Sequence, residues 1–150
     1  MKDVSSTIIG RVELVDFVDG DVFGLHAKID TGAYRSSIWA TNIYEKDGVL
    51  HFTLLGPKSP NYSGKELQTK EYKVVEVENS FGHKQDRYSV FLRVRIKDKL
   101  IKSNFTLANR ELKTYSALIG RKMLRKRFVV DVATGEPLPD EEFNGDNSLL

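Results

Sequence analysis

The sequence predicts an all-β domain with one short helix near its C-terminal end. Three observations carry this. Apolar residues alternate with polar ones over most of the chain, turn-forming pairs such as Asp-Gly separate the alternating runs, and only one late segment has helical spacing. A length of 150 residues suits one domain, and 40% hydrophobic with 29% charged residues is the composition of a folded globular chain.

Taken in order, Val12–Val18 and Val22–Ile29 form a predicted hairpin about Asp19-Gly20-Asp21. In the second strand Phe23, Leu25, Ala27 and Ile29 make the apolar set, with His26 and Lys28 opposite. Ser36–Tyr44 and Val49–Leu55 pair about Lys46-Asp47-Gly48, with Leu50, Phe52 and Leu54 inward. Residues 56–64 hold two prolines and two glycines and read as a longer loop. Tyr72–Glu78 and Tyr88–Ile96 flank a turn at Asn79-Ser80-Phe81-Gly82-His83. Tyr88, Val90, Leu92, Val94 and Ile96 share one face of that second strand. Leu100–Leu107 follows after Lys97-Asp98-Lys99. The helix is expected over Gly120–Lys126, its closing bases suiting a helix C-terminus. Phe128–Val132 is a final strand. Such strands bury one face and wet the other, as antiparallel sheets do. The domain is expected to span 1–135, with 136–150 a polar, acidic, partly mobile tail holding Asp140, Glu141, Glu142 and Asp146.

Composition excludes several function classes. The chain has no cysteine, so it has no disulfide, thiol nucleophile or thiolate metal site. No run approaches the roughly 20 apolar residues of a membrane helix. The N-terminus lacks an apolar core of signal-peptide length, and a cytoplasmic location is expected. With 23 Lys+Arg against 21 Asp+Glu, the net charge of +2 gives no bulk attraction to nucleic acid or membranes. The charge is uneven, however. Arg110, Lys113, Arg121, Lys122, Arg125, Lys126 and Arg127 lie in residues 110–127 against only Glu111. This stretch reads either as a solvated face or as an electropositive surface for an acidic partner.

The segment that carries chemistry is Asp30-Thr31-Gly32-Ala33, directly after a predicted strand. A carboxylate at a strand end can project into a cleft, Thr31 offers a bracing hydroxyl, and Gly32 lets backbones approach closely. Alone, the tetrapeptide reads equally well as a turn. A second motif is Ala117-Leu118-Ile119-Gly120-Arg121-Lys122-Met123-Leu124, an apolar strand, then Gly-Arg, then a helical turn. Ser36 and Ser37 follow the first motif, but no base stands nearby to activate a serine nucleophile.

In their order, these parts resemble the retropepsin-type aspartic peptidases. The stretches Ile9-Gly10-Arg11-Val12-Glu13, Ala27 to Ala33, Asp86-Arg87-Tyr88, Ala108-Asn109-Arg110 and Leu118 to Arg121 are similar to one bacterial and archaeal branch. That branch carries the name ATP-dependent zinc protease and is associated with RimK-type glutamate ligases. The resemblance implies a retropepsin-like closed β-barrel with one short C-terminal helix. It implies peptide hydrolysis by a homodimer whose two Asp30 carboxylates form a dyad and share one proton. Thr31, Gly32, Ala33, Gly120 and Arg121 would support the dyad, and Ser80, Phe81 and Gly82 would form a flap over a peptide or protein substrate. Association with glutamate ligases suggests an acidic one. The alternative is a non-catalytic module that binds peptides, such as acidic glutamate-rich tails, on the same fold.

Two positions depart from the relatives. Tyr34 stands where retroviral members carry an acid that pairs with the helix arginine, and Trp39 stands where the named branch carries a histidine. Neither word of the branch's name finds residues to match it. His26, His51 and His83 are scattered on strands and turns, and no phosphate-binding Gly-rich loop exists. No metal or other cofactor is expected.

Overall fold

The computed structural model of the chain describes residues 7–79 and 81–138. Its strands are β1 (Thr7–Ile9), β2 (Val12–Phe17), β3 (Val22–Ile29), β4 (Ser36–Lys46), β5 (Val49–Leu54), β6 (Glu66–Thr69), β7 (Tyr72–Glu78), β8 (Lys84–Ile96), β9 (Lys99–Ala108), β10 (Ala117–Ile119) and β11 (Phe128–Val130). One helix, α1 (Arg121–Leu124), precedes β11. The fold is all-β, as the alternation predicts.

Hydrogen bonding runs β10-β3-β2-β8-β9-β4 and returns from β4 to β10, closing a ring of six strands. Sheet edges, which invite unwanted pairing, are removed by this closure. Inside the ring sit Val15, Phe17, Ala27, Ile38, Val90, Leu92, Val94, Phe105 and Ile119, all buried. Phe17 and Phe105 meet edge to face at 5.2 Å, a favoured aromatic geometry. β5 and β6 extend the sheet from β4, and β7 pairs with the outer half of β8.

Most predicted strands lie close to their expected limits, and the exceptions have local causes. In β3, Phe23 is exposed while Val22 is buried, the reverse of the expected alternation. The β2–β3 register shifts between Val15 and Phe17. Gly24 has φ +65° and donates its N–H to Asp16 Oδ1 at 2.8 Å. A bulge at a left-handed glycine moves each following side chain to the other face. The helix ends at Leu124, two residues before its expected limit, because Arg125 is already extended and Lys126 has φ +67°. The Asp19-Gly20 turn is a 3-10 turn over Val18–Gly20, with Asp21 left-handed. At the next hairpin Asp47 and Gly48 both have positive φ, as a tight two-residue turn requires.

β1 and β11 form a separate two-stranded parallel sheet. Residues 10–12 anchor it. Gly10 packs so closely on residues 134 and 135 that a Cβ there would lie 2.2 Å from the Thr134 carbonyl oxygen. Its N–H donates to Glu13 Oε2 at 2.7 Å, and the buried Glu13 pairs with Lys97 at 3.2 Å. Glu136 N–H donates to the Val12 carbonyl, and Leu138 N–H to the Tyr115 hydroxyl. The expected acidic tail lies outside the described residues from 139 onward. No helix among the described residues is long and apolar enough to cross a membrane.

Candidate active site

Asp30 follows the last residue of β3, and the ring's topology fixes its place. β10 inserts between β3 and β4, parallel to one and antiparallel to the other. The chain leaving β3 at Asp30 therefore cannot fold straight back into β4. It must bridge β10, and residues 30–35 do so as an open turn. Asp30 N–H donates to the Ile119 carbonyl at 2.9 Å, which continues the β3–β10 ladder into the turn. Asp30 Oδ1 accepts the Gly32 N–H at 3.1 Å, and the Asp30 carbonyl accepts the Ala33 N–H at 3.1 Å. These bonds set the carboxylate's orientation and leave Oδ2 free of any intrachain hydrogen bond among the described residues.

The second motif holds the first. Arg121 N–H donates to the Ala33 carbonyl at 2.8 Å, and Lys122 N–H to the Tyr34 carbonyl at 3.0 Å. The Arg121 side chain reaches back to the Thr31 carbonyl at 3.0 Å and lies over the Tyr34 ring at 5.9 Å. Tyr34, standing where relatives carry an acid, thus keeps the arginine in place through its ring face. Gly120 is where the two motifs touch most closely. A Cβ there would stand 2.5 Å from the Arg35 carbonyl oxygen and 2.7 Å from that of Tyr34. Its N–H donates to Ser36 Oγ at 3.0 Å in a buried setting. Ser36→Ala would leave that N–H unpaired and is expected to cost about 1–3 kcal/mol; an unchanged denaturant midpoint would contradict the role.

Of the expected site residues, the structure brings together Asp30, Thr31, Gly32, Ala33, Gly120 and Arg121. Phe81 and Gly82 stand apart at the tip of the β7–β8 hairpin, and Ser80 lies outside the described residues. Asn79 Oδ1 accepts the N–H groups of Phe81 and His83, at 2.9 and 3.0 Å. Phe81 is 84% exposed, so a large apolar ring is held out on a hydrogen-bonded tip. Ser36 and Ser37 are buried, and Ser37 Oγ has no hydrogen-bond partner among the described residues. Trp39 is also buried, its ring against Gly56.

Two half-buried arginines, Arg87 and Arg110, were given no role by the sequence reading. Arg110 appeared there in the basic stretch and in Ala108-Asn109-Arg110, and Arg87 within Asp86-Arg87-Tyr88. Burial holds each guanidinium below its ordinary pKa. For Arg110 the nearby Arg87 charge acts in the same direction, and the Asp30 carboxylate opposes both. Strand alternation could not single out Arg110, which lies in the irregular segment after β9.

Lys122, Arg125, Lys126 and Arg127, with Tyr34, line an open recess of about 450 Å³. A second recess of about 560 Å³ runs from Thr31 and Arg121 to Leu124, Phe128 and Val130. The described residues do not fit a zinc site. Among the described residues no three His, Asp or Glu side chains are grouped to hold a metal. His26 Nδ1 is bonded to the Glu136 carbonyl at 2.7 Å, and His51 Nδ1 to Glu66 Oε1 at 2.5 Å. The His51 bond also holds the Glu66 carboxyl below its usual pKa.

Comparison with known proteins places this geometry. A crystal structure of a Legionella pneumophila protein of unknown function superposes with TM-score 0.66 at 29% identity, covering 87% of this chain and 97% of that one. A protein described as a probable alpha-L-glutamate ligase from Desulfotalea psychrophila is 26% identical over 136 residues, covering 88% of this chain. One with the same description from Shewanella pealeana is 30% identical over 129 residues, covering 83%. The chain spans only 29% and 28% of the lengths of these two relatives. The model of the RimB-like family, described as retropepsin-like aspartic endopeptidase RimB, matches residues 8–137. The chain therefore belongs to the RimB-like family of retropepsin-like aspartic endopeptidases.

Proposed function

We propose that two copies of this chain form an aspartic peptidase in which the paired Asp30 carboxylates activate water against a peptide bond. The observation that carries the reading is the Asp30 turn. One oxygen is fixed by Gly32 N–H, and the turn is bolted to the barrel through Gly120 and Arg121. Rigid support of this kind is what a catalytic carboxylate needs.

One carboxylate cannot serve as acid and base at the same instant, so the reading requires a second Asp30 across a two-fold axis. Two carboxylates that close share a proton. The ionised one takes a proton from the water as its oxygen attacks the carbonyl carbon. The protonated one donates to the carbonyl oxygen. Collapse of the resulting tetrahedral species returns a proton to the departing nitrogen and breaks the C–N bond.

The β1–β11 sheet supports dimer formation. Neither strand has a second strand neighbour among the described residues. Ile8 and Val129 are exposed on it, at 63% and 53%. The exposed Phe81 ring suits a flap that closes on an extended substrate. The recess lined by Lys122, Arg125 and Lys126 suits an acidic peptide, and neutralising those three is expected to weaken acidic-peptide binding.

The test is cleavage of a peptide library by the purified chain, with its mass in solution measured alongside. A dimer that cleaves at an unchanged rate in EDTA is expected. Loss of cleavage on chelation would contradict a carboxylate mechanism. A monomer that binds peptides without cutting them would leave the fold as a binding module.

A further inference from the structure

Beside the 30–35 turn lies a smaller recess that the peptidase reading does not use. Arg35, Ser36, Ser89, Asn104, Thr106 and Lys122 line it. It joins β8, β9, the start of β4 with the turn before it, and α1. The register explains how. Ser89 pairs with Thr106, so their hydroxyls stand side by side on one face of the β8–β9 ladder. Asn104, two residues before Thr106, shares that face, while Phe105 between them is buried in the barrel core. Thr106 also lies beside β4, and its Oγ1 donates to the Ser36 carbonyl at 3.4 Å. Arg35 and Lys122 are the exposed members of the lining.

The lining is chemically one-sided. No Asp or Glu contributes to it. Ser89 is 2% exposed, and its oxygen accepts the Asn104 Nδ2–H at 3.5 Å. Its own hydroxyl proton is left without an acceptor among the described residues. Ser36 Oγ accepts the Gly120 N–H at 3.0 Å, and its proton is likewise uncommitted. The side chains of Arg35 and Lys122 have no hydrogen-bond or ion-pair partner among the described residues. Buried hydroxyl protons call for an acceptor, and cations drawn to one recess repel each other. A water molecule would accept the protons and leave the repulsion in place. An anion answers both.

Size decides which anion. The room inside is about 10 Å³, near that of one water molecule. It suits a monatomic ion and not a phosphate or a peptide carboxylate, which sets it apart from the wider basic recess lined by Lys122, Arg125, Lys126 and Arg127.

We infer that this recess binds a single halide ion, chloride in ordinary solution, held by Ser36, Ser89 and Asn104 from within and by Arg35 and Lys122 from outside. Arg35 belongs to the turn that carries Asp30. Lys122 belongs to α1, and its N–H already donates to the Tyr34 carbonyl at 3.0 Å. Neutralising both side chains at once holds turn and helix together. The inference goes beyond the peptidase reading and does not depend on it, since stability reports the ion with no substrate present.

The test is thermal melting of the full chain at one ionic strength, in about 0.2 M sodium chloride or in sodium gluconate, whose anion is too large to enter. The Tm in chloride minus that in gluconate is expected to be about 4 °C larger for the wild type than for Ser89→Ala or Lys122→Gln. General salt effects cancel in that comparison. Crystals of the wild type grown in bromide give a reading that needs no variant to fold: an anomalous peak is expected in the recess, in contact with Ser89 Oγ. An equal chloride-minus-gluconate difference in the wild type and the folded variants overturns the inference, as does a recess that holds only water in bromide. A bromide peak with no halide effect on melting would mark an adventitious ion only, which overturns it as well.

Discussion

Asp30→Asn is expected to lower peptide cleavage by at least about a thousandfold, with the fold and dimer kept. Asparagine retains an Oδ1 that can accept the Gly32 N–H, so the turn survives. It cannot ionise, so no pair of groups exists to share a proton. Two amides meeting across the axis also lack the repulsion of two carboxylates, so dimer affinity should hold or rise. Residual cleavage near the wild-type rate would place the chemistry elsewhere. A collapse in melting temperature would mean that the carboxylate's role is structural. The informative outcome is lost turnover together with unchanged melting.

Gly120→Ala should have a large effect on stability. The added Cβ would stand 2.5 Å from the Arg35 carbonyl oxygen, 2.7 Å from its carbon and 2.7 Å from the Tyr34 oxygen. All three are backbone atoms that cannot turn aside. Gly120 has φ −93° and ψ 175°, so alanine is excluded by space and not by its dihedrals. Relieving the clash requires the 30–35 turn to separate from α1, which breaks the bonds from Arg121 and Lys122 N–H and the Gly120–Ser36 bond. The cost is expected to be about 3 kcal/mol, which lowers Tm by roughly 10 °C for a chain of this size. Activity should fall further than stability alone explains, because the displaced turn carries Asp30. A folded variant with wild-type Tm would show that the two motifs are not in close contact.

Most of the strands were legible in the sequence because they follow a period of two and their turns hold Asp and Gly. The reading failed where period and geometry part. At Gly24 a bulge reverses Phe23 and Val22. β6 has four residues, Glu66–Thr69, too few to show a pattern. The parallel pairing of β1 with β11 joins segments 121 residues apart, from Ile8 to Val129 among others, and local composition holds no trace of it. At the site, the Asp-Thr-Gly and Gly-Arg stretches could be named from sequence. The partner of Arg121 could not, because it is a backbone carbonyl and a ring face and not the acid of the relatives. Arg110 read as one base in a charged stretch and as the end of Ala108-Asn109-Arg110, since burial in an irregular segment leaves no periodic mark.

Mixing subunits tests the central claim most directly. Wild-type chain is exchanged with increasing fractions of Asp30→Asn chain at fixed total concentration, and cleavage is followed. If each active site needs one Asp30 from each copy, activity follows the square of the wild-type fraction, so an equal mixture retains about a quarter of the rate. A linear decline, with about half the rate left in the equal mixture, would mean that each chain works alone and that no dyad forms.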